Sequence, residues 1–153
     1  MAPKLASAQS VDRSEILDFV SPRHQLTLIT RKRDGGVQVS PVTAGLDSEG
    51  RIVIATYPER AKVYNIRRNP SVTALIHSDE WNDAYVQIDG TAEIIDLPDS
   101  VEPLVEYFRS VAGEHSDWDE YREAMRKQGK SLIRITIESW GPIAEGGFPP
   151  GRV

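Results

Sequence analysis

The sequence predicts an α+β fold built on an antiparallel β-barrel of about six strands, with three or four short helices at its periphery. Three observations predict it. Strand-like segments follow one another instead of alternating with helices, which argues against a doubly wound sheet. Turn residues separate them at hairpin spacing, Asp34-Gly35 and then Asp47 to Gly50. Gly90 interrupts the longest strand-like segment at its middle, where a bulge or bend lets a small sheet curl.

Residues 1–11 are small and polar and are expected to be disordered. Asp12 and Glu15 have capping-box spacing for a helix whose apolar face is Ile16, Phe19 and Val20, and Ser21-Pro22 ends it. His24 to Arg31 reads as a strand, with Leu26 and Leu28 in alternation. Val37 to Ala44 reads as the next, with Val37 and Val39 set against Gln38 and Ser40. Pro41 cannot donate to a ladder, so this strand is placed at an edge or a bulge. Arg51 to Thr56 is a third, with the run Ile52, Val53, Ile54.

The period then changes. Glu59 to Arg68 reads as a short helix, with Ala61, Tyr64 and Asn65 near one face, stopped by Asn69-Pro70. Ser71 to His77 is a strand, residues 78–83 are a polar loop around Trp81, and Ala84 to Leu97 is the long strand containing Gly90. Val101, Leu104, Val105, Phe108 and Val111 keep helical spacing up to Gly113. Another helix opens near Ser116 and Asp119, carries Trp118, Tyr121 and Met125 as its packing stripe, and closes at Gly129. In Leu132 to Glu138, Ile133, Ile135 and Ile137 face one way while Arg134, Thr136 and Glu138 face the other. Gly and Pro then crowd the chain, so residues 141–153 are expected to be an irregular tail. With no internal repeat and no linker, residues 12–140 form one barrel domain.

Composition excludes several functions. The chain has 153 residues, enough to bury a core without staples. It has no cysteine, which excludes disulfides and thiolate metal sites and fits a reducing cytoplasm. The opening MAPKLASAQS lacks an apolar signal core, and no run approaches the ~20 apolar residues of a membrane span, so a cytoplasmic protein without membrane contact is expected. A formal net charge of -5 argues against a nucleic-acid platform. No HExxH, CxxC, GxSxG or GxGxxG motif occurs, so metal, hydrolase and Rossmann readings lack support. His24, His77 and His115 are scattered and read as structural or surface residues.

The segment Ile54 to Pro70, IATYPERAKVYNIRRNP, carries the most information. Arg60, Lys62, Arg67 and Arg68 stand against the single acid Glu59 in an otherwise acidic chain. A strand ends at Thr56 and a helix begins just after it. Helix starts offer unpaired N–H groups and partial positive charge. Two readings stand: a phosphate cradle, or a solvated basic face.

These residues resemble the pyridoxamine 5′-phosphate oxidase-like split β-barrel superfamily, in which a strand ending in Thr leads through a Ser/Arg-Lys turn and short helix to Asn-Pro. The matching residues are Ala55-Thr56, Arg60-Ala61-Lys62, Ile66 and Asn69-Pro70 followed by Val72. The preceding hairpin VQVSPVTAGLDSEGRIVIAT and the later YVQIDGTAEII extend the resemblance over residues 24 to 97. The short length and missing vitamin-enzyme C-terminal signature look more like the deazaflavin (coenzyme F420)-dependent reductase branch.

The resemblance implies a cofactor site. Lys62 matches the family's phosphate-binding Lys, Thr56 the hydroxyl that also reaches phosphate, and Arg60 stands one residue before the usual Arg. Asn65 falls where a polar contact is usual. Gln38, Ser40, Pro41 and Val42 lie on the strand that passes the cofactor ring. Tyr85 replaces a Gln that contacts flavin phosphate in the vitamin enzymes, a departure that counts against FMN. The implied function is hydride transfer from coenzyme F420 to a small conjugated substrate, in a homodimer with the site at its interface and with no catalytic side chain required. The alternatives are an FMN-dependent reductase or oxidase, and a non-enzymatic split barrel binding flavin or haem.

Overall fold

Period-two alternation sets the core. The computed structural model describes residues 2–152. Leu26 and Leu28 of β2 (Gln25–Arg31), Ile52 and Ile54 of β5 (Ile52–Thr56), Ala74 and Ile76 of β6 (Ser71–Ile76), Ile88 of β7 (Val86–Ile95) and Ile133, Ile135 and Ile137 of β8 (Ser131–Trp140) all bury into one cluster. Helix α1 (Arg13–Val20) adds Ile16, Phe19 and Val20. Its capping box forms as predicted: the Glu15 amide donates to Asp12 Oδ1 at 2.9 Å and the Asp12 amide to Glu15 Oε1 at 3.2 Å.

Two further strands, β3 (Val37–Thr43) and β4 (Gly45–Leu46), complete a seven-stranded antiparallel sheet in the order β3-β2-β6-β7-β8-β5-β4. The strand count is seven rather than six because the segment predicted to end at Ala44 continues. Ala44 still donates to His24 O at 2.9 Å; the chain then bends, and Gly45 and Leu46 pair with Val53 and Ile52 of β5. One bent segment therefore supplies both edges of the sheet and closes it into a barrel. Pro41 sits on β3, an edge strand, as its missing N–H requires.

Gly90 marks the register shift between β7 and β8. A Cβ there would lie 2.2 Å from the Thr136 carbonyl oxygen, so only glycine allows the strands this close.

The N-terminal segment, expected to be disordered, pairs instead. β1 (Ser7–Gln9) joins β9 (Ile143–Glu145) in a two-stranded antiparallel sheet, and Ala6 and Phe148 are also joined by a backbone hydrogen bond. The tail expected to be irregular supplies the partner strand. These bonds come from main-chain groups, so composition gave no sign of them. Met1 and Val153 lie outside the described residues.

Helices α3 (Val101–Ala112) and α4 (Trp118–Gln128) form a second apolar cluster outside the barrel, where Leu104, Val105, Tyr121 and Met125 pack on Val53 and Leu132. The N-cap of α4 is Asp117, which accepts from the Glu120 amide at 3.1 Å, rather than the expected Ser116 and Asp119. Gly129 ends the helix at φ 69°, the left-handed conformation suited to glycine. Burial, reinforced by Tyr107, pushes the Tyr121 phenol up to about 12. Its hydroxyl donates to Leu104 O at 2.9 Å. Tyr121→Phe is expected to cost about 1 kcal/mol in urea unfolding.

Candidate functional site

The strand-to-helix turn is built by local hydrogen bonds. Thr56 ends β5 opposite Ser131 and is 5% exposed. The Arg60 amide donates to Tyr57 O at 3.1 Å; Val63 and Tyr64 amides donate back to Arg60 O at 3.0 and 3.3 Å, opening α2 (Ala61–Arg68). Arg60 is the N-cap but its side chain supplies no cap bond. The amides of Ala61 and Lys62, at the first two helical positions, have no intrahelical acceptor.

Eight residues make a marginal helix alone. Val63 and Ile66 hold it by burial, contributing about 2 kcal/mol each. The buried face is Val63, Asn65 and Ile66; of the face predicted from sequence only Asn65 is on it, while Tyr64 is 59% exposed. Asn65, expected to touch the cofactor, ties the helix to the barrel. Its Nδ2 donates to Thr30 Oγ1 at 3.1 Å and its Oδ1 accepts from Arg68 Nη2 at 3.1 Å. Thr30 in turn donates to Gln38 Oε1 at 3.3 Å. Arg67 and Arg68 lie at the other end of the helix, against Asp96 (2.6 Å) and Arg31 O (2.8 Å), where the macrodipole favours cations. They hold structure and are turned away from the helix start.

Lys62 and Arg60 remain at the entrance, and neither pairs with a carboxylate among the described residues. Lys62 is half-buried; burial, then the Arg60 charge, pulls its pKa below the ordinary 10.5. The Arg60 guanidinium lies 5.7 Å from the centre of the Tyr57 ring. Lys130 Nζ lies 4.8 Å from the same ring. Sequence reading missed Lys130. It reaches the turn only because Ser131 pairs with Thr56 across β5 and β8, a register that no local pattern encodes. Lys130→Ala is expected to weaken binding of a phosphorylated ligand about threefold, with a shallower salt dependence in calorimetric titrations.

The lowered Lys62 pKa has a sign that can be tested. An anion needs the ammonium, so its affinity should hold while Lys62 is protonated and fall as pH rises through a pKa below 10.5. Lys62→Arg should remove that alkaline decline, because guanidinium stays charged.

Strand β3 connects this turn to a groove. Gln38, Ser40 and Val42 form a half-buried row, while Val37 and Val39 are 50% and 51% exposed and Pro41 lies on their side. From Gln38 to Val42 the row spans about 13 Å. Ser40 Oγ is buried without a hydrogen-bond partner. Among the described residues the edge of β3 facing away from β2 has no strand partner, which leaves backbone groups available. On the paired side of β3, Pro41 and Val42 line a groove of about 540 Å³ with Thr27 of β2 and with His77 and Trp81, which follow β6. Tyr85 is not brought to the turn. It lies just before β7, bonded through its backbone to Ala144, whereas α2 reaches past the far end of that strand, where Arg67 pairs with Asp96, about 35 Å along.

Among the described residues no cluster of three or more His, Asp or Glu side chains could hold a metal ion. No described helix is long and apolar enough to cross a membrane.

By chemistry the groups this turn carries, the half-buried Lys62 ammonium, the Arg60 guanidinium, the Ala61 and Lys62 amides and the Thr56 hydroxyl, are of the kind that bind a phosphate ester. Comparison with solved structures agrees with the fold. A conserved hypothetical protein from Mycobacterium tuberculosis matches with TM-score 0.74 at 23% identity, over 92% of this chain and 89% of that one. A protein titled F420 reductase matches at TM-score 0.60 and 18% identity, over 80% and 93%. General Stress Protein 26 from Bacillus anthracis matches at TM-score 0.61 and 19% identity, over 86% and 92%. The family model described as pyridoxamine 5′-phosphate oxidase matches residues 13–144, which takes in the barrel, the basic turn and the long bulged strand, and this split-barrel chain belongs to that family.

Proposed function

We propose that this protein is an oxidoreductase that uses a phosphorylated deazaflavin, coenzyme F420, for hydride transfer to a small conjugated organic substrate. One observation carries the proposal: Lys62 is a half-buried cation at a helix start that pairs with no carboxylate among the described residues. Partial burial disfavours its charged form, and a bound anion would offset that cost.

Lys62, the Ala61 and Lys62 amides and Thr56 would hold the phosphoryl group, with Arg60 and Lys130 raising the local positive potential. The row Gln38–Ser40–Val42 and the free edge of β3 would carry the ring. When bound, the deazaflavin supplies a two-electron hydride donor. The protein's part is to orient the ring and to exclude water.

The exposed Val37 and Val39, beside half-buried Ile29 and Leu75, form an apolar sheet face that supports a homodimer with the site at its interface. The cysteine-free composition supports a cytoplasmic location.

The family match favours a second reading, an FMN-dependent reductase or oxidase. A non-enzymatic flavin- or haem-binding barrel is the third. Purified protein separates them. A yellow preparation with flavin absorbance sides with FMN. A colourless one with micromolar affinity for the deazaflavin sides with F420. Cofactor binding without turnover in any reductase assay sides with the third.

A further inference from the structure

We propose that Arg68 and Thr30 are positioning residues: through a one-way chain of hydrogen bonds they turn the Gln38 side chain so that its amide nitrogen, not its oxygen, faces the ligand. That this ligand is the ring of a flavin or deazaflavin rests on the oxidoreductase reading above; the direction of the chain rests on the hydrogen bonds alone.

The chain starts on α2. Arg68 Nη2 donates to Asn65 Oδ1 at 3.1 Å and to Arg31 O at 2.8 Å. A guanidinium donates and never accepts, so the Asn65 atom it meets must be the carbonyl oxygen. The Asn65 amide nitrogen is then the atom that faces β2, where it donates to Thr30 Oγ1 at 3.1 Å. Thr30 is fully buried. A hydroxyl closed off from water needs an acceptor for its one hydrogen. Asn65 already donates to it, and among the described residues its acceptor is Gln38 Oε1, at 3.3 Å.

Gln38 stands directly opposite Thr30 in the β2–β3 register, so the two side chains share one face of the sheet. With its oxygen taken, Gln38 has only hydrogens left to offer. It is half-buried, and its amide nitrogen has no hydrogen-bond partner among the described residues. Asn65 lies three residues after Lys62 on the same helix. One end of the chain is therefore fixed by the helix that carries the anion turn, and the other lies on the row proposed to carry the ring. The pyrimidine edge of a flavin or deazaflavin has two carbonyl oxygens flanking one N–H. A donor at Gln38 pairs with a carbonyl and stands against the N–H, which sets how the ring lies. Because the amide is turned before the ligand arrives, part of the ordering cost is removed.

NMR of the free 15N-labelled protein tests the direction. An Asn65 side-chain amide proton should lie downfield and exchange slowly, while both Gln38 side-chain protons exchange freely; Gln38→Glu identifies the Gln38 pair by deleting it. Slow exchange at Gln38 instead means that the chain runs the other way, and overturns the proposal whatever the ligand. Titration with FMN and with coenzyme F420 tests the contact: one Gln38 proton should move downfield as either saturates. Gln38→Glu still accepts from Thr30 but faces the ring carbonyl with a carboxylate. At neutral pH it should bind about tenfold more weakly than wild type, and that ratio should narrow toward about pH 5 as the carboxyl gains a proton to donate. Thr30→Val should weaken both ligands about fivefold, and Thr30→Ser, which keeps the hydroxyl, no more than about twofold. Arg68→Leu frees Asn65 to turn over and should weaken them about threefold, with Arg68→Lys, still only a donor, recovering part. Saturation that moves the Ala61 and Lys62 amides but not Gln38, or a Gln38→Glu ratio that is flat with pH, overturns the contact and leaves the cofactor reading standing. Saturation by neither ligand overturns the cofactor reading and the ring contact with it.

Discussion

Gly90→Ala is expected to destabilise the protein by about 3 kcal/mol, through overpacking between two central strands. The added methyl would lie 2.2 Å from Thr136 O and 3.0 Å from Ile135 Cγ2. A backbone oxygen within a ladder cannot swing aside as a side-chain tip can. Either β7 and β8 separate or the bulge is lost, and both disturb the longest ladder of the barrel. Urea unfolding should show a lower midpoint with an unchanged slope. Gly141→Ala is the control, because nothing lies within 4 Å of the new Cβ; its effect should stay within about 0.5 kcal/mol.

Lys62→Ala is expected to weaken binding of the phosphorylated cofactor by about 1–3 kcal/mol, roughly five- to 150-fold, with stability little changed. The charge-assisted hydrogen bond and the Coulomb attraction vanish together. The loss should be confined to the phosphorylated ligand: riboflavin, compared with FMN by calorimetry, should bind both proteins alike. Lys62→Arg should recover part of the affinity, because the charge returns with altered reach. An equal loss for both ligands would mean that Lys62 shapes the fold around the ring instead.

Local patterns were legible in the sequence. The Asp12–Glu15 box, the alternation of Ile133, Ile135 and Ile137, and the interrupted strand at Gly90 each depend on near neighbours, and each stands as read. What depends on pairing across the chain was not legible. Ala44 looked like a strand end because the switch from β2 to β5 is decided by barrel closure. Ser7–Gln9 looked disordered because its bonds come from a main-chain partner near the other end. The candidate site divides the same way. Thr56, Arg60 and Lys62 are near neighbours along one strand-to-helix turn, so a local pattern could group them. Lys130 needed the β5–β8 register, and Asn65 needed the position of Thr30 before its role as a tie was visible. Tyr85 was grouped with the turn by resemblance, and the length of β7 separates them within one chain.

Heteronuclear NMR of the uniformly 15N-labelled protein tests the anion pocket most directly, by following backbone amides during titration with coenzyme F420 and with FMN. The Ala61 and Lys62 resonances should move downfield as either phosphorylated ligand saturates and stay in place with riboflavin, as expected for amides that donate to a phosphoryl oxygen. Saturable binding that leaves both resonances unmoved, with the shifts confined to other parts of the barrel, would contradict the account.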